Sequence, residues 1–174
     1  MPKTIFGLIF LIIFSSCTSV KYYIVRHAEK QAASTGTVMN TPDDPPLSAA
    51  GRMRAIELRE VLKNKGIHYI YSTNTIRTIS TAQPLEELQG DTRVDIYNTK
   101  DSLDFFINRI KQIQKGNVLV VGHSNTVDDI VNKLVGETKV PKDLPESEYD
   151  NLYIVTKKGN RFKFENKTYG TETN

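Results

Sequence analysis

Two short apolar runs constrain the fold of this chain more than any other feature of its sequence. Residues 22–25 read Tyr-Tyr-Ile-Val and residues 118–121 read Val-Leu-Val-Val, so neither run alternates between apolar and polar positions. Strands that are covered by helices on both faces have such continuous apolar runs, which are typical of parallel sheets. The two runs therefore predict central strands of a parallel sheet.

Each apolar run leads directly into polar residues that include a histidine. Residues 26–30 read Arg-His-Ala-Glu-Lys, and residues 122–125 read Gly-His-Ser-Asn. Residues 69–72 read as a third strand, which runs into a helix that carries Arg77 about one turn in. In open α/β sheets, ligands bind beyond the carboxyl ends of the strands. Arginines and histidines at three strand ends favour a pocket for a phosphoryl group.

Strands alternate with helices along the chain. We predict strands at residues 21–26, 69–72, 93–97, 117–121, 152–156 and 161–165. We predict helices at residues 48–65, 73–88, 102–115 and 125–135, and we expect Pro84 to bend or restart the second one. The alternation predicts a three-layer α/β/α sandwich with a mainly parallel sheet. The last two strands flank a tight turn at residues 157–160, which predicts a hairpin at the sheet edge.

The first 16 residues predict an export signal. Lys3 precedes the apolar run at residues 5–14, which is shorter than the roughly 20 residues that a membrane span needs but suits a signal peptide. Residues 14–17 read Phe-Ser-Ser-Cys and resemble a bacterial lipoprotein box, in which the cysteine is lipidated. We therefore expect a lipid anchor at Cys17 and a location in the bacterial cell envelope, on the periplasmic face or the outer membrane. The alternative is a cytosolic protein with an apolar first strand.

The chain is thereby divided into a signal peptide at 1–16, an anchor and linker at 17–21, one domain at 22–168 and a tail at 169–174. A formal net charge of +3, without a large cluster of Lys and Arg, argues against nucleic-acid binding. The three histidines have no metal-ligand spacing, and a lone cysteine cannot form an intramolecular disulfide. We expect neither a metal nor another cofactor.

Four pieces of the sequence together resemble the histidine phosphatase superfamily, which has the phosphoglycerate-mutase-like fold. They are RHAEK at 26–30, DPPLSAAGRMRA at 44–55, STNTIRTISTA at 72–82 and VVGHSN at 120–125, in family order and at family-like spacing. The chain has no large insertion after the second piece, and in this it is similar to the small phosphohistidine-phosphatase-like branch. The resemblance spans most of residues 22–135.

The resemblance implies a metal-independent phosphatase that acts through a phosphohistidine intermediate on His27. The family's phosphate pocket maps onto Arg26, His27, Arg77 and His123, all of which are intact here. Ser124 and Asn125 precede a predicted helix, whose N-terminal N–H groups can bind an anion. The expected substrate is a phosphorylated small molecule or a phosphoprotein, attacked at a phosphate ester or a phosphoramidate. Polar loops at residues 31–46 and 137–151 are candidates for the walls of the site.

The general acid is the residue that the sequence does not identify. Many relatives carry a glutamate roughly twenty residues after the position of Arg77, and residues 95–101 contain no clear match. The candidates are Asp101 and Glu29, followed by Asp95 and Asp44, although for any one of them a solvated loop carboxylate is the better interpretation. A missing acid leaves a second hypothesis open, in which the protein binds a phosphate ligand with little or no turnover. A mutase is disfavoured, because Ala33 stands where mutases have asparagine.

Overall fold

Alternating strands and helices build one six-stranded sheet, as the computed structural model shows for residues 18–32, 44–98 and 102–173. The elements in chain order are β1 (Ser19–Arg26), α1 (Ala49–Leu62), β2 (Ile67–Ser72), α2 (Ile76–Gln89), β3 (Val94–Ile96), α3 (Leu103–Lys111), β4 (Asn117–Gly122), α4 (Val127–Val135), β5 (Asn151–Lys158) and β6 (Arg161–Thr168). None of the described helices is long and apolar enough to cross a membrane.

The strand order is β3-β2-β4-β1-β5-β6. The first four strands are parallel, β5 runs antiparallel to β1, and β6 returns antiparallel to β5. A turn at Gly159, where φ is 59°, closes the β5–β6 hairpin, and glycine adopts this left-handed conformation without strain. The predicted mainly parallel sheet with an edge hairpin is confirmed.

Helices cover both faces of the sheet. One buried cluster joins α3 and α4 to the sheet face that carries Tyr22 and Ile24, and a second joins α1 and α2 to the face that carries Tyr23 and Val25. All four of these β1 residues are buried, because successive side chains of a strand point to opposite faces and both faces are covered. The prediction of three layers is confirmed, and the carboxyl ends of β1, β2 and β4 lie side by side.

All four helices differ from their predicted bounds, and α1 ends at Leu62 rather than at residue 65. Helix α2 begins at Ile76 rather than at residue 73, because the Thr75 side chain caps it by accepting a hydrogen bond from the Thr78 N–H. It continues through Pro84 without a break. Helix α3 ends at Lys111 rather than at residue 115, and α4 begins at Val127 rather than at residue 125. Residues 125 and 126, which we predict as the start of α4, belong to a turn.

The segment at residues 169–173, predicted as a tail, packs on the domain. The Arg54 guanidinium donates to the carbonyl oxygens of Tyr169 at 3.1 Å and Thr171 at 2.8 Å. The Thr173 hydroxyl donates to the Asp150 carboxylate at 2.6 Å. Arg54 and Tyr169 are both buried, so this segment contributes to the folded domain. The predicted signal peptide and Cys17 lie outside the described residues.

Candidate active site

The ends of two neighbouring strands place both histidines at the same edge of the sheet. Arg26 lies opposite Gly122 in the β1–β4 register, and the His27 N–H donates to the Gly122 carbonyl at 2.8 Å. His123 follows directly on β4, and the centroids of the two imidazole rings are 5.4 Å apart. A Cβ at Gly122 would lie 2.9 Å from Thr126 Oγ1. A residue without a side chain therefore lets the chain turn here.

His27 is held in a defined tautomer. Its Nδ1 lies 2.8 Å from the Ala28 carbonyl oxygen, which can only accept, so Nδ1 carries the proton and Nε2 has a free lone pair. Burial lowers the pKa of His27 to about 3, with smaller contributions from Arg26 and the other nearby cations. At neutral pH the ring is uncharged, as nucleophilic attack requires.

His123 is fixed by a threonine. Its Nε2 lies 2.8 Å from Thr73 Oγ1, which in turn donates to Thr78 Oγ1 at 3.0 Å. His123 Nδ1 lies 3.4 Å from Arg77 Nη2. Burial, followed by Arg77, lowers the pKa of His123 to about 4. The His123 ring is therefore neutral at neutral pH in the free protein.

Arg26 is buried, with only 2% of its surface exposed. Its Nη1 donates to the carbonyl oxygens of Pro145 at 2.8 Å and Glu148 at 2.9 Å, and its guanidinium lies 4.1 Å from the centre of the Tyr149 ring. Its Nη2 lies 3.3 Å from Glu146 Oε1. Its Nε is buried and has no hydrogen-bond partner among the described residues. A buried N–H without a partner is costly.

Arg77 lies in the first turn of α2 and is paired with Asp44. Its Nη1 donates to Asp44 Oδ1 at 2.9 Å, and the other carboxylate oxygen accepts from the Ile76 N–H at 2.8 Å. As in Arg26, the Nε of Arg77 is buried without a partner among the described residues. Both arginines thus retain an unused donor.

These side chains line an open pocket of about 480 Å³. The lining residues are Arg26, His27, Lys30, Arg77, His123, Ser124, Asn125, Thr126 and Glu146. All six residues that the sequence predicts for the phosphate pocket are brought together, and the cationic side chains outnumber the single carboxylate. Such a lining suits a small anion with several negative charges. Within the described residues, no group of three or more His, Cys, Asp and Glu side chains could hold a metal ion.

Of the carboxylates predicted as general acids, the three that the structure describes do not line this pocket. Glu29 pairs with Arg54 at 2.8 Å, and the exposed Asp95 lies 3.7 Å from Arg109. Asp44 lies beside the pocket and is held by Arg77. Asp101 lies outside the described residues.

Sequence reasoning did not identify Glu146 and Thr126 as pocket residues. The turn at residues 124–126 accepts a hydrogen bond from the Leu144 N–H at the Ser124 carbonyl, at 3.0 Å. This contact ties the loop that contains Glu146 to the pocket. The only signal in the sequence was the prediction that residues 137–151 wall the site.

Residues 22–104 match the family model described as "Histidine phosphatase superfamily (branch 1)". No curated protein matches this chain significantly. The fold is similar to that of a protein from Agrobacterium tumefaciens assigned as the phosphohistidine phosphatase SixA, with a TM-score of 0.62, 18% identity, and coverage of 88% of this chain and 99% of that one.

Two further solved structures share the fold. Phosphoserine phosphatase from Entamoeba histolytica, solved in complex with 3-phosphoglyceric acid, has a TM-score of 0.60, 13% identity, and coverage of 88% of this chain and 98% of that one. Phosphoglycerate mutase from Bacillus anthracis has a TM-score of 0.54, 16% identity, and coverage of 86% and 92%. The family model thus matches a little under half of the chain, and the solved structures share its fold.

Proposed function

We propose that this protein is a metal-independent phosphatase that forms a phosphohistidine on His27. The observation that carries the proposal is the free Nε2 of a neutral histidine in a pocket lined by two arginines with unused donors. The substrate is a phosphate monoester or a phosphoramidate, on a small molecule or a protein. An open pocket accepts either, because the leaving group can extend into solvent.

In the first step the phosphoryl oxygens accept from the free Nε groups of Arg26 and Arg77 and from the turn at residues 124–126. Guanidinium groups suit such oxygens because they offer several donors in one plane. His27 Nε2 attacks phosphorus, the bond to the leaving group breaks, and the leaving group takes up a proton. In the second step water attacks the phosphohistidine, which returns inorganic phosphate and neutral His27.

His123 assists by acquiring a proton when the anion binds. Thr73 donates to Thr78 and can accept from His123 Nε2, so a proton added to the ring sits on Nδ1. A phosphoryl dianion near Nδ1 raises the pKa of His123 from its low value in the free protein. The resulting N–H stabilises the charge that develops on phosphorus oxygens.

The test is hydrolysis of p-nitrophenyl phosphate in the presence of EDTA by the wild type, His27→Ala and His68→Ala. His68 is an exposed histidine on β2, away from the pocket, and serves as the matched control. We expect His27→Ala to be folded and inactive and His68→Ala to be as active as the wild type. Labelled phosphate should be trapped on His27 in acid-sensitive, base-stable linkage. Wild-type activity in a folded His27→Ala protein contradicts the covalent mechanism.

A second candidate is a phosphate-ligand-binding protein with little or no turnover. The observation that favours it is the engagement of Glu29 with Arg54 and of Asp44 with Arg77, which leaves neither predicted acid in the pocket. Calorimetric titration with phosphate separates the two candidates. Tight binding without hydrolysis of any phosphate ester supports the binding protein.

We also propose that Cys17 is lipidated and anchors the protein in a bacterial cell envelope. The apolar run at residues 5–14 and the Ser-Ser-Cys that follows support this location. Stable anchoring needs more than one acyl chain, at about 0.8 kcal/mol per buried CH₂. Fractionation of cells that express the full chain should place the wild type with membranes. The Cys17→Ser variant should carry no lipid. Unprocessed wild-type protein in the cytoplasm contradicts the proposal.

A further inference from the structure

One exposed carboxylate reaches into the pocket. The Glu146 side chain, which is 71% exposed, places Oε1 3.3 Å from Arg26 Nη2 and Oε2 3.2 Å from Lys30 Nζ. It belongs to the loop between α4 and β5 and is the only carboxylate among the described residues that line the pocket. Its high exposure means that it can move without loss of packed surface.

A phosphoryl group would replace only some of the contacts that Arg26 makes. Backbone carbonyls of the α4–β5 loop fix Nη1 at 2.8 and 2.9 Å. The opposite edge of the guanidinium has a free Nε, and an Nη2 that meets only Glu146 and, at 3.4 Å, the Tyr149 hydroxyl. A phosphoryl group that accepts from both Nε and Nη2 of this edge replaces the contact between Nη2 and Glu146. Glu146 is then displaced by a short distance and stays at the mouth of the pocket beside Lys30.

We propose that Glu146 is the general acid of this site and donates the proton that the leaving group needs. The inference rests on the proposed phosphatase function and goes beyond it by naming this residue. Glu29 forms a salt bridge with Arg54, and Asp44 forms one with Arg77, both away from this position. The exposed side chain of Glu146 instead pairs with Arg26 and Lys30, and the substrate displaces it from Arg26.

Substrate binding raises the proton affinity of the Glu146 carboxylate, as the role of a general acid requires. In the free protein, Lys30 foremost and also Arg26 hold the pKa of the Glu146 carboxyl below its usual range. A bound phosphoryl dianion removes the contact with Arg26 and adds a negative neighbour, and both changes raise that pKa. Both changes move Glu146 toward the protonated form that a general acid needs.

The two steps then balance. His27 Nε2 bonds to phosphorus, the bond from phosphorus to the leaving oxygen or nitrogen breaks, and the Glu146 proton moves to that atom. In the second step the Glu146 carboxylate accepts a proton from water, whose oxygen bonds to phosphorus as the bond to His27 breaks. No metal or other co-reactant is needed for either step.

The experiment compares two substrates that differ in their need for an acid. Phenolate is a poor leaving group, because phenols have a pKa of about 10, whereas p-nitrophenolate is stable without a proton at neutral pH. The measured quantity is kcat/KM, because it reports the phosphorylation step whichever step limits kcat. The variants are Glu146→Gln and Glu137→Gln, an exposed glutamate of the same loop that pairs with Lys139 outside the pocket.

We expect Glu146→Gln to lower kcat/KM for phenyl phosphate by about 100-fold, within the usual range for a general acid. The loss for p-nitrophenyl phosphate should be less than about fivefold, by the same principle that an acid assists poor leaving groups most. Glu137→Gln should match the wild type with both substrates. In Glu146→Ala, added formate should restore part of the activity on phenyl phosphate, which a purely structural role cannot explain.

Other outcomes overturn the inference in distinguishable ways. Equal losses with both substrates would make Glu146 a binding or structural residue. A gain with both would show that its carboxylate only blocks Arg26. A wild type that hydrolyses p-nitrophenyl phosphate but not phenyl phosphate lacks an acid, so the inference fails while the proposed function stands. A wild type inactive on both contradicts the proposed function itself.

Discussion

The two arginines of the pocket are held in different ways, although each is paired with one carboxylate. Arg26 is 2% exposed, and two backbone carbonyls fix it while its partner Glu146 is 71% exposed. Arg77 is 17% exposed, and its partner Asp44, at 31%, also accepts from the Ile76 N–H at the start of α2. The first pair combines a rigid cation with a movable anion, whereas in the second pair both groups are fixed to the scaffold.

The difference separates two tasks within one pocket. Arg26 is positioned by the α4–β5 loop before any ligand arrives, so little ordering remains when a phosphoryl group binds. Glu146 can move away from Arg26 because the phosphoryl group replaces it as the hydrogen-bond acceptor of the guanidinium. On the other side, Asp44 orients Arg77 and contributes to the N-terminus of a helix, where a negative charge is stabilising. We therefore expect substitutions on the Arg26 side to affect both stability and activity.

Arg26→Ala should have the largest effect of the variants that test this comparison. We expect kcat/KM to fall by roughly 100- to 1000-fold, as for the loss of a charged donor in a transition state. The melting temperature should fall as well, because the carbonyl oxygens of Pro145 and Glu148 lose their donor. Steady-state kinetics and thermal denaturation measure the two effects. An unchanged melting temperature would show that the loop is held by other contacts.

Arg77→Ala should lower activity with a smaller loss of stability, since Arg77 contacts no backbone carbonyl in the described contacts. The loss of transition-state stabilisation should be about 2–4 kcal/mol. Arg77→Lys should recover little of it, because an ammonium group cannot form the paired contacts of a guanidinium. Inhibition by inorganic phosphate provides a second measurement. Full recovery by lysine would mean that Arg77 acts through its charge alone.

Acidification should destabilise the free protein before the carboxylates titrate. The pKa of His27 is lowered to about 3 and that of His123 to about 4, both chiefly by burial. The unfolded chain therefore binds more protons than the folded one below a pH of about 6.5, and stability that is present above this pH is lost as the pH falls toward 3.

For His27 the loss between pH 7.5 and pH 5 should be about 2 kcal/mol in the free energy of unfolding. Urea unfolding at a series of pH values in phosphate-free buffer measures it. His27→Asn should flatten the profile, whereas His68→Ala should leave it unchanged. A profile that is equally steep in His27→Asn would show that other groups dominate.

Asp44→Asn should have the smallest effect. The amide oxygen can still accept from Arg77 or from the Ile76 N–H, but the charge that orients the guanidinium is lost. We expect a rise in KM of less than about tenfold with kcat nearly unchanged, since a partly exposed ion pair contributes little. A fall in kcat as large as that of Arg77→Ala would place Asp44 in the chemistry rather than beside it.

The sequence alone determined the parts of this protein that depend on local pattern. The apolar runs at residues 22–25 and 118–121 predicted β1 and β4, because strands buried on both faces are near-continuous apolar runs. Residues that follow such strands directly, such as His27 and His123, are carried to one edge of a parallel sheet by the strands themselves. Their proximity could therefore be predicted without knowledge of any side-chain contact.

Only the tertiary structure decided how the pocket is completed. Glu146 reaches Arg26 through a loop that no periodic pattern describes, and Thr73 meets His123 from a different strand end. Asp44, which lies ahead of α1, meets Arg77 in the first turn of α2. These contacts join residues that are far apart in sequence, and their geometry depends on how whole elements pack. Local pattern thus predicted the histidines and arginines, whereas long-range packing selected the carboxylates and the threonine that surround them.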